Sequence, residues 1–448
     1  MNRIVEVYLS ARESGDRLSR KAPIELVRDS EGIENNVVNI YDDLSYQEII
    51  GFGGAFTEAA AVTWARLPPD QREAILKSYF SPTEGHGYTF CRTHMNSCDF
   101  STGNYAEADI PGDFELRHFT IDRDRRAMIP MMKAAARYGR YTLFVSPWSP
   151  AGWMKDTGQM NRGGKLLPEC RDVWALHFAR FIQAYRAEGI EVWGVTVQNE
   201  PKALQTWDSC IYTAEEERDF VKHHLGPTLR REGLGTVKIM IWDHNKERLY
   251  ERARVVFEDR EASELVWGAG FHWYSGDHFE ALEMVRRRWP EKGLVFTEGC
   301  TTLGTGNGAW KNAEAYGHDL IGNLNAGMNA WCEWNLVLDD KGGPNHVGNY
   351  CEAPVLVNPA AGTVEYKPSW YYIGHFSRFI RPGSVRIGCT RPSDAIECSA
   401  FRTPSGERVL VALNRADQPI RFVLRERESV APIELPGHAI ATLRWREE

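Results

Sequence analysis

The chain has 448 residues, a formal charge of −8, 43% hydrophobic residues and 25% charged residues, the proportions of an ordinary globular protein with room for one large domain and a smaller one. That acidic balance argues against a nucleic-acid surface, and no run of about 18 apolar residues offers a membrane span. Nine cysteines, an odd number with no Cys-x-x-Cys pair, indicate neither a disulfide framework nor a zinc site.

The amino terminus, Met1 to Tyr8, alternates and carries charge, so it lacks the apolar core of a secretory signal and cytoplasm is the expected compartment. Residues 1–45 read as strands, with alternation over Ile4–Leu9 and an apolar run at Val37–Tyr41. Over 46–370, short apolar runs alternate with amphipathic helical stretches. The runs lie at Ile50–Phe52, Tyr88–Met95, Tyr141–Ser146, Val192–Gln198, Val237–Trp242, Trp267–Tyr274, Leu294–Thr297 and Met328–Trp334. Helical patterns between them include Pro69–Tyr79, Arg125–Tyr138, Val173–Glu188, Ala214–Arg231, Phe279–Trp289 and Trp310–Asn325. Eight such repeats with near-continuous apolar strands predict an α/β fold, a parallel (β/α)8 TIM barrel. Residues 371–448 return to short strands and turns, a β-sandwich signature. The 1–45 strands cannot bury a face alone and are expected to pair with that module as one accessory β-sandwich. Gly51–Phe56 is glycine-rich but lacks nucleotide-binding spacing, and reads as a tight turn opening the first barrel helix.

If the barrel forms, the carboxyl ends of its strands converge on one mouth. Those ends carry Arg92 and His94, Trp148, Asn199 and Glu200, Asp243 and His244, His272 and Tyr274, Glu298, and Trp334 with Asn335. Two carboxylates, each at the tip of its own buried strand, are the minimum for cleaving a glycosidic bond. One protonates the departing oxygen; the other faces the developing oxocarbenium ion. Close like charges push one pKa up, which keeps one carboxyl protonated near neutral pH. Glu200 is the expected acid/base and Glu298 the expected nucleophile. Asn199 is placed to reach the sugar's 2-hydroxyl, and Tyr274 and Arg92 to hold Glu298 oriented and ionised. Trp148 and Trp334 suit an aromatic sugar platform or plain packing, His272 and His94 suit either site or core, and Asp99 either joins the site or caps the next segment.

Taken together these segments resemble glycoside hydrolase family 30, the glucosylceramidase-like retaining β-glycosidases. The resemblance is carried by Gly51–Ala59, Asn96–Ser101, Ser146–Pro150, Gln198–Pro201, His272–Tyr274, Thr297–Cys300, Trp334–Leu336, Gly342–Asn345 and Arg381–Ser384. It implies a catalytic barrel with a sandwich built from both chain ends, and retention of configuration. It also implies Asp99, Trp148, Asn199, Tyr274 and Trp334 around the sugar and no metal or organic cofactor; from their strand ends His272 is counted among the substrate-binding residues, and Arg92 and Asn335 as support. The expected substrate is a glucosylceramide-type lipid or another small β-glucoside, with β-1,6-glucan or a β-xyloside as alternatives within the family. Lys155–Leu167 looks like the bacterial members, some of which are β-1,6-glucanases. An inverting hydrolase and a non-catalytic carbohydrate-binding barrel are the competing readings, and no oligomeric state is indicated.

Overall fold

The computed structural model describes residues 3–446. Eight parallel strands close into a barrel: Gly51–Phe56, Phe90–Met95, Thr142–Pro147, Val192–Thr196, Lys238–Asn245, Val266–His272, Gly293–Glu298 and Ala330–Asn335, here barrel strands one to eight. Strand eight pairs back with strand one, from Ala330 opposite Gly51 onward.

The glycine run is not a turn. It is strand one itself, and the turn expectation fails because the glycines serve close approach. A Cβ at Gly53 would lie 1.8 Å from the Phe90 carbonyl oxygen of strand two, so only glycine lets these strands close. Thr57 follows as N-cap of helix Glu58–Ala65, its Oγ1 accepting from the Ala60 amide.

Period-two alternation fills the barrel in layers. The floor is a small apolar cluster of Phe90, Phe144, Met240, Val295 and Cys332. Two residues further along the same faces, the lining turns polar, with Arg92, Ser146 and His272, all fully buried. Outside, helices such as Pro69–Phe80, Met128–Ala136, Arg171–Ala187, Phe279–Arg288 and Asn307–Asn325 shield the strands. The expected helix over Ala214–Arg231 is interrupted by one π turn, Val221–Leu225. Pro227 has no amide hydrogen to continue the ladder, so the Gly226 N–H reaches back to the Val221 carbonyl instead. None of the described helices is long and apolar enough to cross a membrane.

Both chain ends build the second module. Arg3–Ala11 pairs with Ala439–Arg446, and Val37–Glu48 is bracketed by Val385–Cys389 and Ile420–Glu426. The pairing closes on itself, because Ile24–Arg28 bonds both Ser429–Leu435 and Arg3–Ala11. Ser429–Leu435 is a strand in spite of Pro432 within it. Its pairing with Ile24–Arg28 stops at Val430, so the proline sits where no donor is needed. Glu407–Asn414 is buried on both faces. Leu410 and Ala412 join the sandwich core with Val38, Phe422 and Leu443, while Val409, Val411 and Leu413 join the barrel's outer core with Tyr372 and Phe376. A three-stranded sheet, Leu338–Asp339, Val355–Asn358 and Thr363–Tyr366, follows strand eight and carries one wall of the mouth.

Candidate active site

A cavity of about 360 Å³ opens at the carboxyl ends of the strands, with Glu200, Glu298, Trp148, Trp334, Asp99 and Tyr274 on its walls. Beneath it the fully buried Arg92 organises the strand ends. Nη1 donates to Glu298 Oε2 at 2.6 Å, Nη2 to Asn199 Oδ1 and to Asp243 Oδ2 at 2.9 Å each, and Nε to Ser146 Oγ at 3.0 Å. The guanidinium also lies 4.7 Å from the Trp148 ring and 5.4 Å from Trp334, and those two indoles stack at 5.0 Å. A cation this deep persists because each of its three nitrogens finds an acceptor and two of those acceptors are carboxylates.

Three of the converging side chains are aimed by irregularities in the ladders. Strands five and six slip by one residue at Asp243, which has φ 50°, strands six and seven at Thr297, and strands eight and one at Trp334. Each extra residue re-aims a neighbour into the mouth, the usual service of a bulge at a barrel rim. Glu200 itself stands at φ 46°, a left-handed conformation unusual for a glutamate.

His272 joins the carboxylates. Its Nε2 meets Asp243 Oδ1 at 3.0 Å, and its Nδ1 lies 3.3 Å from Glu200 Oε1 and 4.0 Å from Glu298 Oε1. Burial opposes its charge, but Glu298, Asp243 and Glu200 outweigh burial and raise its pKa to about 9. Both ring nitrogens therefore carry protons. Asp243 is held well below the carboxylate range, because Arg92, His272 and Thr196 overcome its burial.

Arg92 and His272 supply two positive charges, while Asp243, Glu200 and Glu298 offer three negative ones. Charge neutrality in this buried set leaves one proton for the glutamate pair. Burial, Glu200 and Asp243 raise Glu298 against the pull of His272 and Arg92. Glu200 moves the other way: burial raises it, but the hydrogen bond from His272, the charges of His244 and His272, and Gln205 bring it below its usual value. The imidazoles of His272 and His244 lie on the side of Glu200 and favour its charged form. Two donors nonetheless point at Glu298, Arg92 and the Tyr274 hydroxyl at 2.9 Å.

Asp99 lines the cavity and does not cap a helix. Burial first, then Glu298, raise its carboxyl to about 8, against an Asn349 Nδ2 that donates at 3.0 Å. His272 underlies the glutamates and is fully buried, away from the cavity wall. Asn335 also lies off the wall, accepting from Thr57 Oγ1 at 2.7 Å and tying strand eight to the first helix. His94 is a core histidine, with Nε2 accepting from the Glu58 amide and Nδ1 on the Asn96 carbonyl. The cavity also uses Asn245, the last residue of strand five, and Gln205, Trp207, Asn349 and Cys351, which sit on loops without periodicity for sequence reasoning to read. Glu200, His244 and His272 bring ligand-type atoms within 4.8 Å of one another. With both His272 nitrogens committed to carboxylates, this trio suits proton chemistry better than a metal ion.

Comparison with known proteins agrees with this architecture. The glycosyl hydrolase family 30 TIM-barrel domain matches residues 49–380, and the family's β-sandwich domain matches 383–443. Mouse lysosomal acid glucosylceramidase is 34% identical over 92% of this chain and 84% of its own length. Among solved structures, SrfJ from Salmonella typhimurium is 36% identical with a TM-score of 0.97, covering 99% of this chain and 100% of that one. The endo-β1,6-glucanase BT3312 is 28% identical with a TM-score of 0.89, covering 99% of both chains.

Proposed function

The chain belongs to glycosyl hydrolase family 30, and from that premise we propose that it is a retaining β-glucosidase whose substrate is a glucosylceramide-type lipid or another small β-glucoside. The observation that carries the reading is the shared imidazole. Glu200 Oε1 and Glu298 Oε1 lie 3.3 and 4.0 Å from the same His272 nitrogen, so both carboxyls address one small volume at the mouth. Inverting catalysis holds its carboxyls about 6.5–9.5 Å apart to admit a water, whereas retention needs about 5–5.5 Å, and convergence on one nitrogen favours the shorter spacing.

In this mechanism Glu298 attacks the anomeric carbon as Glu200 protonates the departing glycosidic oxygen. Glu200 then deprotonates the water that opens the glycosyl ester. The pair's single proton must therefore sit on Glu200 when substrate is bound. A seated sugar presents an ether oxygen to Glu200, an acceptor that stabilises only the protonated acid. Arg92 and Tyr274 go on donating to Glu298 and stabilise only its anion. Asp99, protonated near neutral pH, can donate to a sugar hydroxyl without adding a third negative charge beside the nucleophile. Trp148 and Trp334 present an apolar surface to the ring's face. The glucosidase reading draws on the likeness to a glucosylceramidase, and the BT3312 likeness makes β-1,6-glucan the rival substrate.

Kinetics of two variants test the chemistry. Glu298→Gln is expected to abolish turnover of an activated aryl β-glucoside, and azide is expected to rescue Glu298→Gly with formation of the inverted glycosyl azide. Full activity in Glu298→Gln would end the proposal. A panel of glucosylceramide, β-1,6-glucan, aryl β-glucoside and aryl β-xyloside separates the substrates, the first and third being expected to give the highest kcat/KM.

A further inference from the structure

One wall of the cavity carries chemistry that hydrolysis does not use. Cys300 lies two residues past Glu298, and Cys351 belongs to the loop before strand Val355–Asn358, 51 positions away along the chain. Their sulfurs are 3.0 Å apart, with the Cys300 S–H directed at Cys351 Sγ. Both line the same cavity as Glu298 and Tyr274. The pair is backed by main-chain pairing next to it, where the Glu352 amide donates to the Thr301 carbonyl at 2.7 Å. The backbones are already held together, and closing a bond of about 2.05 Å needs a sulfur displacement of only about 1 Å.

The position bears on the reacting groups. The Tyr274 hydroxyl, which donates to Glu298 Oε1, also lies 3.4 Å from Cys300 Sγ. On the other side, Asn349, two residues before Cys351, donates to Asp99. The two thiols thus join the strand-seven tip carrying Glu298 to the loop that holds Asp99.

We propose that Cys300 and Cys351 form an oxidisable dithiol site at the edge of the catalytic cavity, which hydroperoxides convert to a disulfide that lowers glycosidase activity. Cys351 is the sulfur that reacts first, because the S–H of Cys300 hydrogen-bonds to it and stabilises its thiolate, the form that attacks a peroxide. The peroxide transfers one oxygen to Cys351, giving a sulfenic acid and releasing an alcohol or water. Cys300 then attacks that sulfur, forming the disulfide and expelling the oxygen as water. Two thiols are oxidised by two electrons and one peroxide bond is reduced. A bonded Cys300 moves away from Tyr274, ties down the strand-seven tip, and disturbs the hydrogen bond that orients Glu298.

The test combines mass and rate on the full chain. Treatment with stoichiometric hydrogen peroxide is expected to give a peptide pair linked through Cys300 and Cys351, a mass loss of about 2 Da, and a fall in kcat/KM of at least fivefold that dithiothreitol reverses. The ratio of oxidised to reduced activity is read for each variant against itself, so altered basal rates do not matter. Cys351→Ser is expected to hold that ratio near one, and Cys389→Ser, which breaks the other close pair at 3.9 Å, to leave the wild-type response intact. Failure to find the 300–351 link, an unchanged ratio after the link forms, or an undiminished response in Cys351→Ser would each overturn the proposal. The link is read by mass alone, so its absence speaks against the dithiol site whichever glycoside the enzyme prefers.

Discussion

Arg92 is fully buried beside two stacked indoles, and its charge is shared by the groups around it. Replacing it by Met leaves Asp243 and Glu298 without their guanidinium partner in a low-dielectric core, a loss of about 3–5 kcal/mol as for other broken buried pairs. Urea unfolding of Arg92→Met measures that cost. Arg92→Lys should recover only part of it, since an ammonium cannot reach Glu298, Asn199 and Asp243 in one plane. At Asp99 the raised pKa, about 8, says that a neutral donor is wanted at pH 7. Asp99→Asn should therefore keep more of kcat/KM near neutrality than Asp99→Ala, and its profile should lose a limb near pH 8. At His272 a pKa near 9 makes the imidazolium the resident form. Its folded pKa exceeds the unfolded value of about 6.5, so its contribution to stability is complete below that pH and is lost as the pH climbs through 9. NMR titration of the His272 ring should show the high value, and Asp243→Asn should lower it.

Elements deliver these side chains, and their irregularities matter as much as their regular parts. Strands five to eight would present Asp243, Glu298 and Trp334 differently if the ladders ran without slips. The first helix is pinned through one hydroxyl, with Thr57 Oγ1 accepting from Ala60 and donating to Asn335. Thr57→Ala removes the cap and also leaves the buried Asn335 oxygen without that donor. The expected cost is about 2 kcal/mol by urea unfolding, at the upper end for an N-cap, and Thr57→Ser should restore most of it.

For the whole molecule, barrel and sandwich share a core. Tyr372, Phe376 and Phe379 of the barrel's last helical region pack in one cluster with Val409, Val411 and Leu413, and Phe379 sits 4.5 Å from the Tyr8 ring. His375, buried and held neutral with a pKa near 3, is clasped by Ser10 from one chain end and Thr442 from the other. Deleting residues 383–448 should therefore yield an aggregating barrel instead of a smaller enzyme, because it bares that apolar face and strands His375. Static light scattering of the truncated chain checks this.

Much of this was legible in the linear chain. Apolar runs of strand length, recurring with amphipathic stretches between them, specify eight parallel strands, since continuous apolar strands must be covered on both sides. An apolar strand run followed closely by Asn199-Glu200-Pro201 or Thr297-Glu298-Gly299 marks its carboxylate as a residue of the rim. Other features depend on distances between segments far apart in sequence, which local periodicity does not encode. The glycine run became a strand because Phe90 approaches it, and Asp243 turned inward because its ladder slips against strand six. The shared proton, the imidazolium between three carboxylates, and the meeting of Cys300 with Cys351 arise only once the barrel closes and excludes water. Residue types and strand ends are local properties of the polypeptide, whereas charge states and cross-chain contacts are set by burial and by which surfaces closure brings together.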